Sequence, residues 1–171
     1  MSKQSSYDVV VIGSGPGGYT AAIETARSGF STALVEASHN LGGVCLNEGC
    51  IPSKTLLSAA DLREQIGASS YFGISTSEAK TDWSILQSRR ETVIDTLRSG
   101  IARLLRSHSV DVIHGKARLD DPTTISVEGQ AGRQKLQAGY IVLATGSLPI
   151  VHGSWQKTKG VLTSKQLLSI K

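Results

Sequence analysis

The feature that most restricts the fold is a glycine-rich turn, GSGPGG at residues 13–18, between an apolar run and a helical pattern. The run at residues 7–12, YDVVVI, is nearly all apolar and β-branched, which is typical of a strand buried on both faces of a parallel sheet. A helical segment at 19–28 and a second apolar strand at 32–36 follow the turn. This order is that of a βαβ unit, so we predict an α/β domain with a parallel sheet.

The glycines in the turn have the spacing G-x-G-x-x-G, which is typical of turns that bind a dinucleotide pyrophosphate. Gly13 permits the tight turn, Gly15 lets the backbone approach the pyrophosphate, and Gly18 lets the helix pack against the strand. Glu36, at the end of the next strand, can accept hydrogen bonds from both hydroxyls of an adenosine ribose. A purely structural turn is the alternative, and the motif does not distinguish FAD from NAD. The predicted cofactor-binding residues of this turn are Gly13, Ser14, Gly15, Pro16, Gly17 and Gly18.

The two cysteines of the chain, Cys45 and Cys50, lie close together in GGVCLNEGCIPSK at residues 42–54. On a regular helix their Cα atoms would lie roughly 8–9 Å apart. A disulfide requires less than about 7 Å. Asn47 and Gly49 tolerate turn conformations, so the sequence permits a disulfide only if this segment is not a regular helix. Such a bond would be strained and easily reduced.

Cys50 lies at the start of a predicted helix that runs to about residue 66, with Pro52 in its first turn. The partial positive charge at a helix N-terminus stabilises a thiolate, and Lys54 adds a formal positive charge nearby. We therefore expect Cys50 to be the sulfur that remains a thiolate when the pair is reduced. Two incidental buried cysteines are an alternative. We predict no metal site, because zinc requires four ligands and there is no second cysteine pair.

The remainder of the chain contains a long helix followed by short strands. Apolar residues recur at helical spacing over 82–107. Short β segments separated by turns predict a small antiparallel meander, and a last buried strand runs into TGSLP; these segments are 110–114, 117–119, 124–127, 135–137 and 140–144. We predict a Rossmann-like three-layer domain over residues 7–150, preceded by a flexible tail at 1–6. Residues 151–171 would begin a connection to a further domain.

Charge and hydropathy exclude several classes of partner. The net charge is +4, but no nucleic-acid-binding motif accompanies it, so we predict no nucleic-acid partner. No apolar run approaches the roughly 20 residues of a membrane span, so we predict no membrane association. The start, MSKQSSYD, has no apolar signal region, and we expect a cytoplasmic protein. In that compartment a close cysteine pair is more often catalytic than structural.

Three segments, in this order, resemble the FAD-dependent pyridine nucleotide–disulfide oxidoreductases: YDVVVIGSGPGGYTAA, GGVCLNEGCIPSK and YIVLATGSLP. This family includes dihydrolipoamide dehydrogenase, glutathione reductase and mercuric reductase. The wording CLNEGCIPSK is most similar to the dihydrolipoamide dehydrogenases, whereas glutathione reductases more often read CVNVGCVPKK. Val44 and Glu48 depart from the threonine and valine that are common at these positions.

The resemblance implies a role for each predicted residue. The glycine turn would hold the FAD pyrophosphate, and Glu36 would bind the adenosine ribose. Cys45 would be the thiol that exchanges with the substrate, and Cys50 the charge-transfer thiol against the flavin. Lys54 would hydrogen-bond near flavin N5. Further cofactor contacts are implied for Gly42, Gly43, Val44, Gly115, Lys116, Ala117, Ala144, Thr145, Gly146 and Ser147.

The implied reaction is that of dihydrolipoyl dehydrogenase, in which electrons pass from dihydrolipoamide to a Cys45–Cys50 disulfide, then to FAD, then to NAD⁺. The implied partners are lipoyl-bearing subunits of 2-oxo acid dehydrogenase complexes and a second copy in a homodimer. The family's NAD-binding domain, interface domain and returning segment of the FAD domain are not within the 171 residues. We therefore expect an inactive fragment that binds FAD weakly, if at all. The alternatives are another disulfide or mercuric reductase, or a non-catalytic dinucleotide-binding module.

Overall fold

A computed structural model describes residues 4–130, 132–155 and 158–170. The chain divides into two compact units: the first comprises 1–45 and 97–148, and the second comprises 46–96 and 149–171. The strands are β1 Gln4–Ile12, β2 Thr32–Glu36, β3 Asp111–His114, β4 Lys116–Leu119, β5 Thr124–Gly129 and β6 Gly132–Leu143. The helices are α1 Pro16–Arg27, α2 Gly43–Glu48, α3 Cys50–Gly67, α4 Trp83–Ser107 and α5 Ser164–Leu168, with a 3₁₀ turn at Ser69–Phe72.

Within the described residues, the first unit is built on a six-stranded mixed sheet with the strand order β3-β2-β1-β6-β5-β4. Strands β3, β2, β1 and β6 run parallel, whereas β5 is antiparallel to both β6 and β4. Strand β1 lies in the parallel part, and Val10 and Val11 are fully buried. The prediction that this apolar run forms a strand buried on both faces is confirmed.

The long strand β6 belongs to both parts of the sheet. Its residue Leu136 pairs with Ser5 of β1 on one side and with Ile125 of β5 on the other. The prediction of two separate strands at 135–137 and 140–144 is wrong, because Gly139 continues the strand. A Cβ at Gly139 would lie 3.0 Å from the carbonyl oxygen of Asp8, so the glycine allows close pairing.

Strand β3 also departs from the prediction. It pairs in parallel with β2, with Val112 opposite Leu34, and so extends the parallel sheet instead of starting the meander. The antiparallel meander consists of β4, β5 and β6. The period-2 pattern that marks a strand does not specify its partner, and the sequence left this choice open.

Two apolar clusters cover opposite faces of the parallel strands. Val9 and Val11 pack in one cluster with Ala22 of α1 and Leu105 of α4. The alternate residues of β1, Val10 and Ile12, pack in the other cluster with residues of β5 and β6. Strand β4 contacts β2 although three strands separate them in the sheet order, so the antiparallel strands fold over the parallel ones. Helices, parallel strands and antiparallel strands form the three layers that the sequence predicts.

The start of the chain differs from the prediction. Strand β1 begins at Gln4, and Ser5 and Ser6 pair with Leu136 and Gln137. The predicted flexible tail at 1–6 is therefore wrong for residues 4–6, while residues 1–3 lie outside the described residues. Polar residues join the strand here because β6 extends beyond the apolar run and offers backbone partners.

The second unit consists of helices and loops. Helix α4, whose residues 83–96 belong to this unit and whose residues 97–107 belong to the first, agrees with the predicted helix at 82–107 to within one residue. The Asp82 side chain caps its N-terminus. Helix α5 begins with a capping box between Thr163 and Gln166. The Gln87 side chain donates to the Ile170 carbonyl over 2.9 Å. Among the described residues, no helix has both the length and the hydropathy to cross a bilayer.

Candidate functional site

Four neighbouring strands end at one edge of the first unit, and each end carries residues that the sequence singles out. Gly13 follows β1, Glu36 ends β2, Gly115 follows β3 and Ala144 follows β6. Backbone hydrogen bonds of 2.8 Å join these ends, from Gly13 to Val35, from Gly115 to Glu36 and from Ala144 to Ile12. Ligands of open α/β sheets bind at the carboxyl ends of parallel strands, so this edge is the candidate site.

The turn after β1 requires glycine at two of its positions. Gly13 has φ +102°, and a Cβ there would lie 2.2 Å from the carbonyl oxygen of Ala144. A Cβ on Gly18 would lie 1.8 Å from the carbonyl oxygen of Gly13. The tight turn and the close helix packing predicted for these two glycines are both present.

Gly15 and Gly17 have room for a methyl group instead. A Cβ on Gly15 would come no closer than 4.0 Å to Gly43, and one on Gly17 would meet nothing within 4 Å. No side chain caps the N-terminus of α1 at Gly15, and Pro16 occupies its first turn. An uncapped helix N-terminus has the backbone donors and partial positive charge that a phosphate needs. These residues therefore fit the pyrophosphate of a dinucleotide.

The Glu36 carboxylate is buried beside this turn and is held by three donors of the chain. Oε2 accepts hydrogen bonds from the Ser14 N–H at 2.8 Å and the Ser14 hydroxyl at 2.5 Å. Oε1 accepts one from the Ser38 N–H at 2.7 Å. Glu36, the predicted hydrogen-bond acceptor for the adenosine ribose, thus lies next to the predicted phosphate site. Ser14 and Ser38 fix the orientation of its carboxylate.

A pair of glycines connects the turn to the first cysteine. Gly42 and Gly43 have φ values of +100° and +59°. The Gly42 N–H donates to the Ser14 carbonyl oxygen over 3.0 Å, and a Cβ on Gly43 would lie 2.6 Å from the Cα of Gly15. Helix α2, which carries Val44 and Cys45, therefore begins directly against the glycine turn.

Cys45 is half-buried in α2, and Cys50 is exposed as the first residue of α3; no disulfide joins these two described residues. Helix α2 ends at Glu48, and Gly49 has φ −141° and ψ −105°. The segment is therefore not one regular helix, which is the condition that the sequence sets for a disulfide. Lys54 is exposed in α3. The roles of Cys45, Cys50 and Lys54 remain predictions.

The other predicted contacts lie on the loops at the same edge. Gly115 is buried, and a Cβ there would lie 2.7 Å from the Val127 side chain. Lys116 is exposed and Ala117 half-buried, while Thr145, Gly146 and Ser147 are all exposed beyond β6. Among the residues that the structure describes, no group of three or more His, Cys, Asp or Glu side chains could hold a metal ion.

Sequence reasoning missed some residues at this edge. His114 pairs with Glu36 in the sheet, its Nδ1 lies 3.1 Å from the Ser38 carbonyl oxygen, and its ring meets that of His39 edge to face at 6.2 Å. A Cβ on Gly129 would lie 2.3 Å from the His114 carbonyl oxygen. Isolated histidines and a glycine in a turn signal carry no pattern that could have identified them.

Known proteins are similar to this chain over most of its length. A family described as pyridine nucleotide-disulphide oxidoreductase matches residues 7–170. A dihydrolipoyl dehydrogenase of Acholeplasma laidlawii is 39% identical, over 100% of this chain and 51% of that protein. Dihydrolipoyl dehydrogenases of Vibrio cholerae serotype O1 and Bacillus subtilis (strain 168) are 41% and 38% identical, over 88% and 97% of this chain and 32% and 37% of their own.

A solved structure has the same fold. It is the Cu(II) complex of the HOCl-induced flavoprotein disulfide reductase RclA from Escherichia coli, with a TM-score of 0.81 and 29% identity. The match covers 97% of this chain and 35% of that one. The chain thus spans about half or less of the length of the proteins it matches.

Proposed function

Because the chain belongs to the pyridine nucleotide-disulphide oxidoreductase family, we propose that it is the FAD-binding part of an enzyme with the dihydrolipoyl dehydrogenase reaction. The observation that carries the proposal is the arrangement at the carboxyl edge. An uncapped helix N-terminus lies beside a buried acceptor, Glu36, and the helix that bears Cys45 begins against the same turn. The similarity to dihydrolipoyl dehydrogenases supports the choice of reaction.

We assign the contacts of FAD to residues on four loops. The backbone N–H groups of Gly15 and Gly17 would bind the pyrophosphate, because those of Gly13 and Ser14 donate to Val35 and Glu36 and Pro16 has none. The Glu36 carboxylate would accept a hydrogen bond from the ribose. The backbone at 115–117 would face adenine, and residues 144–147 would line the flavin side. When bound, FAD supplies a two-electron acceptor between thiols and NAD⁺.

The chemistry proposed for the chain itself is thiol–disulfide exchange. A Cys45–Cys50 disulfide would oxidise the two thiols of dihydrolipoamide to a disulfide and would itself be reduced to two thiols. Cys45 would exchange with the substrate sulfur. Cys50, at the N-terminus of α3, would keep its charge as a thiolate, because the helix terminus and Lys54 favour the negative form. The products of the whole reaction would be lipoamide and NADH.

The proposed setting follows that of the relatives. We propose lipoyl-bearing subunits of 2-oxo acid dehydrogenase complexes as partners, a homodimer as the assembly, and the cytoplasm as the compartment. The NAD⁺ site would lie in sequence that the relatives have beyond the matched part.

Absorption spectra with paired cysteine variants test this function. The chain is kept in a saturating excess of FAD, because the fragment is expected to bind it weakly, and is then reduced by two electrons per chain. We expect the absorption to extend to longer wavelength on reduction, beyond that of free FAD treated in the same way, because a thiolate stacks on the flavin. Cys50→Ser should abolish the long-wavelength absorption and Cys45→Ser should retain it. A long-wavelength band that is absent from the unmodified chain at saturating FAD, or that survives Cys50→Ser, would contradict the proposal.

A further inference from the structure

We propose that Ser14 is a positioning residue: its buried hydroxyl orients the Glu36 carboxylate so that a single oxygen, Oε1, receives a ribose hydroxyl of adenosine. This inference rests on the proposed function for the identity of the ligand. Its physical basis is a set of hydrogen bonds within the first unit, which connects the glycine turn, the end of β2 and the start of α2.

The Ser14 side chain is directed into the protein. The residue is fully buried, with 0% of its surface exposed, although it lies within the glycine turn. A ligand at the surface of the turn therefore cannot contact its hydroxyl. Any effect of this hydroxyl on ligand binding has to act through the groups that it touches, which are Glu36 and Gly42.

The direction of each hydrogen bond is determined by chemistry. The Gly42 N–H can only donate, and it is shared between two acceptors of Ser14, the carbonyl oxygen at 3.0 Å and the hydroxyl oxygen Oγ at 3.2 Å. A carboxylate can only accept, so the single hydroxyl proton of Ser14 is donated to Glu36 Oε2, 2.5 Å away.

These bonds leave the two carboxylate oxygens unequal. A carboxylate oxygen offers two acceptor positions, about four for the whole group. Ser14 fills both positions of Oε2 with its N–H and hydroxyl. Among the described residues, Oε1 accepts only from the Ser38 N–H, so one acceptor position remains there. Glu36 therefore presents one acceptor to a ribose, whereas the sequence motif predicts hydrogen bonds from both hydroxyls.

The loss of the hydroxyl would leave this carboxylate poorly held. In Ser14→Ala, Oε2 loses one of its two donors while Glu36 stays buried. The carboxylate can then rotate away from the orientation that receives the ribose. The loss of this hydrogen bond to a charged group should weaken ribose binding roughly tenfold.

Calorimetric titration of the 171-residue chain with two nucleotides tests the proposal. The probes are ADP and 2′,3′-dideoxy-ADP, which lacks both ribose hydroxyls. We expect Ser14→Ala to weaken ADP binding about tenfold and to leave 2′,3′-dideoxy-ADP binding unchanged. In a Glu36→Ala background the same substitution should cause no further loss, because no side-chain acceptor remains for the hydroxyl to orient.

A matched control uses a second serine with the same pattern of bonds. The Ser31 N–H and hydroxyl both donate to Asp8 Oδ2, at 2.8 Å and 2.6 Å, at the start of β2 and away from Glu36. Ser31→Ala should leave the affinity for both nucleotides unchanged. Circular dichroism establishes that each variant folds. If Ser14→Ala does not fold, Ser14→Cys, with a weaker donor of similar size, should show a smaller loss of ADP affinity alone.

The possible failures are distinguishable. If the unmodified chain binds both nucleotides equally or binds neither, the proposed dinucleotide site is wrong. If it discriminates between them and Ser14→Ala discriminates equally well, or weakens both equally, the site stands and the positioning role of Ser14 is wrong.

Discussion

Gly13, Gly17 and Gly18 differ in what a methyl group would meet. At Gly13 and Gly18 a Cβ would lie 2.2 Å and 1.8 Å from backbone oxygens, which cannot move aside as a flexible side chain can. We expect Gly13→Ala or Gly18→Ala to lower the free energy of unfolding by about 3 kcal/mol or to prevent folding.

Gly17→Ala is the matched control for both substitutions, because nothing lies within 4 Å of its Cβ position. We expect the free energy of unfolding to stay within about 1 kcal/mol of the unmodified chain, since alanine is the better helix former. Urea unfolding followed by circular dichroism measures all three variants. Equal losses at the three positions would show that the close contacts around Gly13 and Gly18 do not decide stability.

At the scale of single residues, the sequence predicts those positions at which a known motif requires one residue type. The glycine spacing and Glu36 identify the candidate site, because tight turns and ribose contacts demand those residue types. Ser14 occupies a variable position of the motif, so no pattern announces that its side chain is buried. Gly129 allows the backbone at His114 and Gly115 to approach closely. These residues are distant in sequence, so a local pattern cannot predict the contact.

At the scale of the elements, helix α4 depends on the Asp82 side chain at its N-terminus. Asp82 Oδ1 accepts hydrogen bonds from the Ser84 hydroxyl at 2.7 Å and from the N–H groups of Ser84 and Ile85. The Ser84 hydroxyl, followed by the Ile85 N–H, lowers the pKa of Asp82 from its usual 3.8. These bonds favour the charged form, so the stabilisation is present above pH 3.8 and is lost as the pH falls through the lowered pKa.

This sign gives a prediction for two substitutions. Asp82→Ala should lower the urea midpoint at neutral pH, because two N–H groups of the helix lose their acceptor. Asp82→Asn keeps an acceptor oxygen, so it should retain more of the stability and should remove the Asp82 part of the acid sensitivity. Urea midpoints at pH 7 and at pH 3 measure both effects. An alanine variant as stable as the unmodified chain at pH 7 would exclude Asp82 as a cap.

Helices and strands with strong local sequence patterns were predictable, but the pairing of the strands was less so. Strands β1 and β2 follow from continuous apolar runs, and the helix at 82–107 follows from helical periodicity. The union of two predicted strands into β6 does not, because glycine normally weakens a strand and Gly139 instead allows close contact with Asp8. The parallel placement of β3 depends on its fit beside β2, which is a tertiary property.

At the scale of the whole molecule, the buried apolar residues are concentrated in the first unit. Of those in the described ranges, only Leu46, Pro52 and Ile94 belong to the second unit. In that unit Tyr71, Phe72 and Ile85 are largely exposed. Local opening costs least where few apolar contacts are buried.

We therefore expect amide hydrogens of the second unit to exchange faster than those of β1, β2 and β6. Hydrogen exchange followed by mass spectrometry of peptides from 50–82 and from the strands measures this difference. Helix α3 is the strictest test of this expectation, because its backbone hydrogen bonds are regular although most of its side chains are exposed or half-buried. Equal protection in α3 and β1 would show that burial does not control opening in this chain.

The place of β1 between β2 and β6 has a consequence for synthesis on the ribosome. Its partner on one side is complete at residue 36, but the partner of Ile12 on the other side is residue 143. At translation rates of 5–20 residues/s, the apolar strand waits roughly 5–20 s with one edge unpaired. During that interval the unpaired edge of β1 can pair with a wrong strand. A chaperone that covers this edge would increase the yield of folded protein without changing its final stability.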